Sequence, residues 1–140
     1  MKIISYNVNG IRAAITKGWL DWLKATDADI VCLQEIKATP DQIKDIHLIE
    51  DLGYYHYWYP AQKKGYSGTA IYTKLKPLSV KHGIGIQKFD TEGRILILEF
   101  KNFTILNIYF PNGQMNDNRL QYKLDFYDAI LDYCDKLVNI

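Results

Sequence analysis

Asn7 and Glu35 each stand at the end of an apolar run, Ile3-Ile4-Ser5-Tyr6-Asn7 and Ile30-Val31-Cys32-Leu33-Gln34-Glu35. Two neighbouring strands would bring those ends together at the rim of a sheet. A carboxylate beside an amide oxygen suits Mg²⁺, a hard ion often held by one or two carboxylates while water and substrate phosphate complete its shell. The plainer reading of the same two residues is that they cap loops. Tyr109, in the run Asn107-Ile108-Tyr109-Phe110-Pro111-Asn112, offers a phenol. A phenol there can hydrogen-bond a phosphoryl oxygen or stabilise developing charge, or simply pack at a strand end. Arg12, Lys37 and Arg94 are candidate phosphate contacts, and each reads equally as solvated surface. Tyr66 and Gly68 lie in the stretch KKGYSGTA. The glycine there permits close approach of another backbone, and the tyrosine offers a ring for stacking on a sugar or base. His47, His56 and His82 show no metal-ligand spacing and receive no role.

Positioning such groups takes strands that deliver polar tips. Apolar patterning predicts strands over residues 2–8, 29–35, 55–59, 68–74, 78–84, 94–100 and 103–109, with turns at Lys64-Gly65, Lys76-Pro77, Glu92-Gly93 and Lys101-Asn102. The continuous apolar stretch of the second strand predicts burial on both faces. Residues 18–25 form a short helix with Trp19, Trp22 and Leu23 on one side. Thr39-Pro40-Asp41-Gln42 is a helix start with a capping box, and that helix is expected to end near Leu52-Gly53. A long helix over residues 118–137 carries Leu120, Leu124, Tyr127, Leu131, Cys134 and Val138 on one stripe, the side expected to pack on the sheet. Asp125, Asp128, Asp132 and Asp135 face away from it. The order of elements predicts a mixed α/β layered fold. Hairpins in the middle argue against a regular doubly wound sheet, and no GxGxxG or P-loop is present.

The chain has 140 residues, the size of one domain, and a net charge of +1, so there is no wholesale basic surface for non-specific nucleic-acid binding. Any contact with DNA must come from local groups. Cys32 and Cys134 lie far apart and outside any CxxC, which predicts reduced, structural thiols. MKIISYNV is too short and too polar for a signal peptide, and no run approaches a membrane span, so the expected location is cytoplasmic, or nuclear in a eukaryote.

The stretches SYNVNGIRA (5–13), DIVCLQEIK (29–37), GYSGTAIYT (65–73), EGRILILEF (92–100), LNIYFPNG (106–113) and RLQYK (119–123), taken in order, resemble the exonuclease III / abasic-site endonuclease family within the endonuclease–exonuclease–phosphatase superfamily. The resemblance implies an α/β fold, the N-terminal half of a DNase I-like four-layered sandwich with a mixed sheet and flanking helices. It implies Mg²⁺, with Mn²⁺ as an alternative, held at Asn7 and Glu35, and Tyr109 near the scissile phosphate. It places Asn9, Arg12, Lys37, Tyr66, Arg94 and Asn112 along the DNA groove or in support of the site. The implied reaction is hydrolysis of a phosphodiester in double-stranded DNA 5′ to an abasic site, with 3′-phosphatase and 3′→5′ exonuclease activities. The family's later GDxN and SDH motifs do not occur between residues 1 and 140. The expectation is therefore a single partial domain, with little activity alone and a sheet face exposed for a missing half or a second copy of the chain. Two other readings compete: a non-catalytic half-domain that binds DNA or self-assembles, and a superfamily relative acting on phosphoinositides or RNA.

Overall fold

The computed structural model describes residues 1–138. They divide into two compact units, Met1–Tyr109 and the segment from Phe110 onward. In the first unit, β1 (Ile3–Asn7), β2 (Ile30–Gln34), β4 (Thr69–Thr73) and β3 (Tyr55–Tyr59) form a mixed sheet in the order β1-β2-β4-β3. β1 and β2 run parallel with Asn7 opposite Gln34, while β2–β4 and β3–β4 are antiparallel. β5 (Ser79–His82), β6 (Ile95–Glu99) and β7 (Thr104–Ile108) form a second, antiparallel sheet.

Alternation along β2 divides the core. Ile30 and Cys32 join Ile71, Leu96 and Leu98 in the layer between the two sheets. Val31 and Leu33 face the opposite way, into a cluster with Ile11, Trp19, Leu23, Ile49 and Tyr72. That second cluster is roofed by α1 (Ile11–Thr16), α2 (Trp19–Thr26) and α3 (His47–Asp51). The strand is thus buried on both faces, as its unbroken apolar run predicted, and the unit has three layers: helices, mixed sheet, antiparallel sheet. Burial pushes the Cys32 thiol up to about 12, so it is protonated at neutral pH, and both cysteines are free.

Three local expectations change. The helix expected to run from Thr39 to about Gly53 is broken. Its capping box forms, with the Thr39 N–H donating to Gln42 Oε1 at 3.0 Å, but it starts only a single 3₁₀ turn, Pro40–Gln42. Ile43 then turns extended (φ −92°, ψ 107°) and is buried, and the helix resumes as α3. Burying one β-branched side chain outweighs continuing a short helix. The helix α1, not among the expected elements, carries Arg12 in its first turn, and Gly10 (φ 96°) redirects the chain from β1 into it. A further helix, α4 (Gln87–Asp90), precedes β6, and Asp90 accepts the N–H groups of Ile84 and Gly85 at 3.1 and 2.9 Å.

In the second unit, α5 (Asp117–Val138) matches the expected long helix. Its buried positions are Phe126 and Ile130, while Leu120, Leu124, Tyr127, Leu131 and Val138 are exposed. Two apolar stripes lie side by side on this helix. The aromatic contacts of Phe126, edge-on to Phe110 at 5.9 Å and stacked with Tyr122 at 6.5 Å, fall on the stripe the leucine spacing did not mark. No helix among the described residues is long and apolar enough to cross a membrane.

Candidate active site

The parallel β1–β2 pair ends at one rim, and the loops that leave it are stitched together by backbone hydrogen bonds. Val8, Gly10 and Ile11 donate to the carbonyls of Gln34, Glu35 and Ile36 at 3.1, 2.8 and 2.9 Å. On the other side Ile36 and Lys37 donate to Gly68 and Ser67 at 3.2 and 2.9 Å. The segment after β2 is thereby held between the loop after β1 and the loop before β4. Four non-glycine residues here adopt left-handed backbone: Asn9 (φ 46°), Glu35 (59°), Lys37 (54°) and Ser67 (52°). Such conformations are costly for residues with a Cβ and persist where surrounding contacts fix them, often at functional sites. Gly68 (φ 89°) shows the closeness of the fit, since a Cβ there would lie 2.8 Å from Ile36 Cγ1.

This backbone path brings unlike groups together. The Glu35 carboxylate, 22% exposed, lies 3.3 Å from Lys37 Nζ. Lys37 Nζ also donates to Asn9 Oδ1 at 2.8 Å, and Arg12 Nη2 donates to the Lys37 carbonyl at 3.2 Å. The Tyr109 phenol is raised above its ordinary range, chiefly by burial and then by the charge of the nearby Glu35 carboxylate, while Arg94 opposes the shift. Asn7 Oδ1 accepts the Asn9 N–H at 3.0 Å, so this side chain does cap the turn it leads into. Glu35 faces other side chains rather than capping a loop.

Arg94 is not solvated surface. It is 3% exposed. Its guanidinium donates to the Tyr109 carbonyl at 3.1 Å, the Tyr66 hydroxyl at 3.0 Å and Glu92 Oε1 at 3.3 Å. It also lies over the Tyr109 ring, 4.8 Å from its centroid. Tyr66 donates to Glu92 at 2.8 Å. Arg94 and Glu92 thus form a buried brace behind Tyr109 and Tyr66. The sequence marked Glu92-Gly93 only as a turn; Gly93 is needed because a Cβ would come 2.3 Å from the Tyr59 carbonyl. Asn112 lies in the second unit, where its Oδ1 accepts the Gln114 N–H at 2.9 Å. Two of the three histidines are engaged away from the rim, His56 with Glu50 and Trp58, and His82 against the Tyr59 ring.

Asn107 was read only as a neighbour of Tyr109. It is 3% exposed and donates to the carbonyls of both Leu33 and Ala70 at 2.9 Å while accepting from Gln34 Nε2 at 2.8 Å. The available signal was its position two residues after Ile105, on the inward face of an apolar strand.

The donor set at the rim is all oxygen: one carboxylate (Glu35) and the amide oxygen of Asn7. Among the described residues no group of three or more His, Cys, Asp or Glu converges. That composition fits a hard cation keeping water and substrate ligands, and does not fit a soft, fully protein-ligated ion.

Residues 4–139 match the model of the Endonuclease/Exonuclease/phosphatase family. The chain is 44% identical to an exodeoxyribonuclease of Bacillus subtilis over 134 residues, spanning 95% of this chain and 52% of that one. It is 40% identical to a DNA-(apurinic or apyrimidinic site) endonuclease of Dictyostelium discoideum over 139 residues, 98% of this chain and 38% of that one. A solved AP endonuclease from Archaeoglobus fulgidus superposes with a TM-score of 0.85 at 28% identity, covering 97% of this chain and 51% of the other. The chain therefore spans about half the length of these relatives or less. It belongs to the Endonuclease/Exonuclease/phosphatase family.

Proposed function

We propose that the chain carries the first half of a divalent-metal-dependent phosphodiesterase site acting on double-stranded DNA at abasic positions. The convergence of a carboxylate, a phenol and an ammonium at one strained rim, Glu35 with Tyr109 and Lys37, is the observation that carries this reading. The names and identities of the relatives support DNA over an inositol phosphate or RNA as substrate.

Glu35 and Asn7 are the groups to hold Mg²⁺ or Mn²⁺, which when bound supplies Lewis-acid polarisation of a phosphoryl oxygen. Lys37 and Arg12 supply positive charge for the phosphates on either side, and Asn9 holds the Lys37 ammonium toward Glu35. The Tyr109 hydroxyl, a phenol that burial raises still further above neutrality, is a hydrogen-bond donor to a non-bridging oxygen as charge develops. Tyr66 and Arg94 keep Tyr109 in place, and Asn112 is assigned to the groove. Phosphoryl transfer relies on positioned charge from several sides, and this chain supplies one side.

Full activity in this proposal requires groups from a further polypeptide segment or a second copy of the chain. β1 supports that view: it is an edge strand whose Ile3 and Tyr6 are exposed, offering backbone and apolar surface for pairing. The test is Mg²⁺-dependent nicking of a duplex with a synthetic abasic site. The chain alone is expected to nick weakly, and adding a polypeptide matching the relatives' remaining half is expected to restore cleavage that EDTA abolishes. DNA binding without cleavage under every such condition would leave the non-catalytic half-domain as the correct reading.

A further inference from the structure

The structure assigns Asn107 as a positioning residue that sets the distance between the Tyr109 phenol and the Glu35 carboxylate, by tying the antiparallel sheet to the mixed sheet at the ends of β2 and β4. This inference rests on the reading of Glu35 and Tyr109 as site residues. Glu35 and Tyr109 belong to different sheets, and nothing in either strand's own hydrogen-bond ladder fixes one against the other. Leu33 and Ala70 are direct partners in the β2–β4 register. The Asn107 amide donates one N–H to each of their carbonyls, so one side chain from β7 clamps both strands at once. Its oxygen accepts from Gln34, whose amide also donates to Ser5 Oγ at 2.9 Å, and the chain of bonds thereby reaches β1.

The clamp is short on both sides. Leu33 lies two residues before Glu35, and Asn107 two residues before Tyr109. An error in the sheet-to-sheet distance would pass to the phenol and carboxylate with little slack. The setting makes the clamp stiff: a buried amide with three satisfied bonds resists displacement, because any shift leaves carbonyls desolvated and unpaired. Apolar packing between sheets has no such preference for one register, since leucine and isoleucine contacts are non-directional. Two further polar bridges join the same parts of the unit: Thr69 Oγ1 donates to the Gly93 carbonyl at 3.0 Å, and the Tyr59 hydroxyl donates to the Asp90 carbonyl at 2.6 Å. Asn107 is the bridge in line with the rim.

The test uses the 140-residue chain labelled with 3-fluorotyrosine, with the position-109 signal assigned through Tyr109→Phe and spectra taken at fixed neutral pH without metal. In the parent chain Glu35→Gln is expected to displace that ¹⁹F signal. In the Asn107→Ala background the displacement is expected to fall several-fold, because the phenol is no longer held where the carboxylate's charge acts on it. A purely structural asparagine lowers the melting temperature but leaves the displacement intact, and that result overturns the inference. If Asn107→Ala does not fold, Gln34→Met, which keeps both donated bonds, is read the same way: a reduced displacement supports the clamp and an unchanged one overturns it. Broadening of the same signal by added Mn²⁺ tests the site reading separately. Its absence in the parent would sink the metal site while leaving the phenol–carboxylate result to stand or fall alone.

Discussion

A cavity beside β3 in the first unit and the strained rim are both at the margin of the mixed sheet, and they differ in kind. The cavity, about 530 Å³, lies beside β3 and is lined by Glu50, Gly53, Tyr54, His56 and Lys74 among others. Its polar groups turn to neighbours that already satisfy them: Tyr54 donates to the Ala28 carbonyl, His56 meets Glu50, and Lys74 pairs with Asp27. The rim between β1, β2 and β7 is built differently. It holds four residues in left-handed backbone and a carboxylate, a phenol and an ammonium within reach of one another. Volume marks where the surface happens to fold in, whereas stored backbone strain and unlike charges held together mark where the fold has been constrained for chemistry.

Replacing the cation in each region breaks this comparison most forcefully. Arg94→Met removes a guanidinium that is almost fully buried and leaves Glu92, only 14% exposed, without its positive partner. Breaking such a pair costs about 3–5 kcal/mol. Lys74→Met removes a surface pair whose Asp27 is 77% exposed, and solvent screening makes the expected loss far smaller. Urea unfolding of both variants gives the ratio directly. Equal losses would mean that the brace behind Tyr109 is no more than surface electrostatics.

Carboxylates offer the second contrast. Glu35→Gln is expected to lower metal-dependent cleavage by the assembled site about 10²–10³-fold and to abolish Mn²⁺ binding by the chain, measured by titration calorimetry. Glu50→Gln, in the cavity beside β3, is expected to leave both unchanged. A loss of cleavage with Glu50→Gln would move the chemistry to the cavity.

Much of this was legible in the sequence because apolar strands announce themselves and their polar tips follow. The ends of β1 and β2 follow from runs of Ile, Val and Leu that stop at Asn7 and Glu35, and parallel neighbours then bring those tips together. The conformation that makes the rim unusual left a weaker trace. Glu35 and Lys37 are left-handed without being glycine, since their backbone is dictated by bonds to Gly10, Ser67 and Gly68, which are distant in sequence. Arg94 looked like surface because charged residues usually are, and its burial depends on Glu92, Tyr66 and Tyr109 arriving from three segments. Asn107 was hidden in the same way, a polar residue whose partners lie on two other strands. The wrong stripe on α5 came from counting leucines where an aromatic stack decided the burial.

Glycines sharpen the contrast at lower amplitude. Gly68 and Gly53 have nearly equal φ, 89° and 93°, so an alanine at either carries the left-handed penalty of about 1–2 kcal/mol. At Gly53 nothing lies within 4 Å of the added Cβ. At Gly68 the methyl would stand 2.8 Å from Ile36 Cγ1 and 3.4 Å from the Pro60 backbone, and Ile36 lies between Glu35 and Lys37. Gly68→Ala is therefore expected to lose more stability than Gly53→Ala and, unlike it, to weaken Mn²⁺ binding. Thermal melts and the metal titration measure the two effects on the same samples.

Alkaline titration gives the smallest and most gradual effect, and it reports on the core beneath both regions. The Cys32 thiol is pushed up to about 12 by burial, and burial also raises the phenols of Tyr54, Tyr57, Tyr59, Tyr72 and Tyr109. All are neutral when protonated, so the folded chain retains protons that the unfolded chain gives up at ordinary values, 9.0 for the thiol and 10.0 for the phenols. Below those values both states are protonated and the contribution to stability is fully present. As pH rises through them the unfolded state binds fewer protons than the folded one, and stability declines. The urea midpoint is therefore expected to be insensitive to these groups up to about pH 9 and to fall progressively above it. Cys32→Val is expected to remove the earliest part of that fall and leave the tyrosine part. Glu35→Gln is expected to lower the Tyr109 phenol toward its ordinary value, because the carboxylate is its second cause after burial. It should leave Tyr54 unchanged, beside the β3 cavity, where burial and Lys74 set the balance. Equal responses of the two phenols would mean that the carboxylate does not single out the rim.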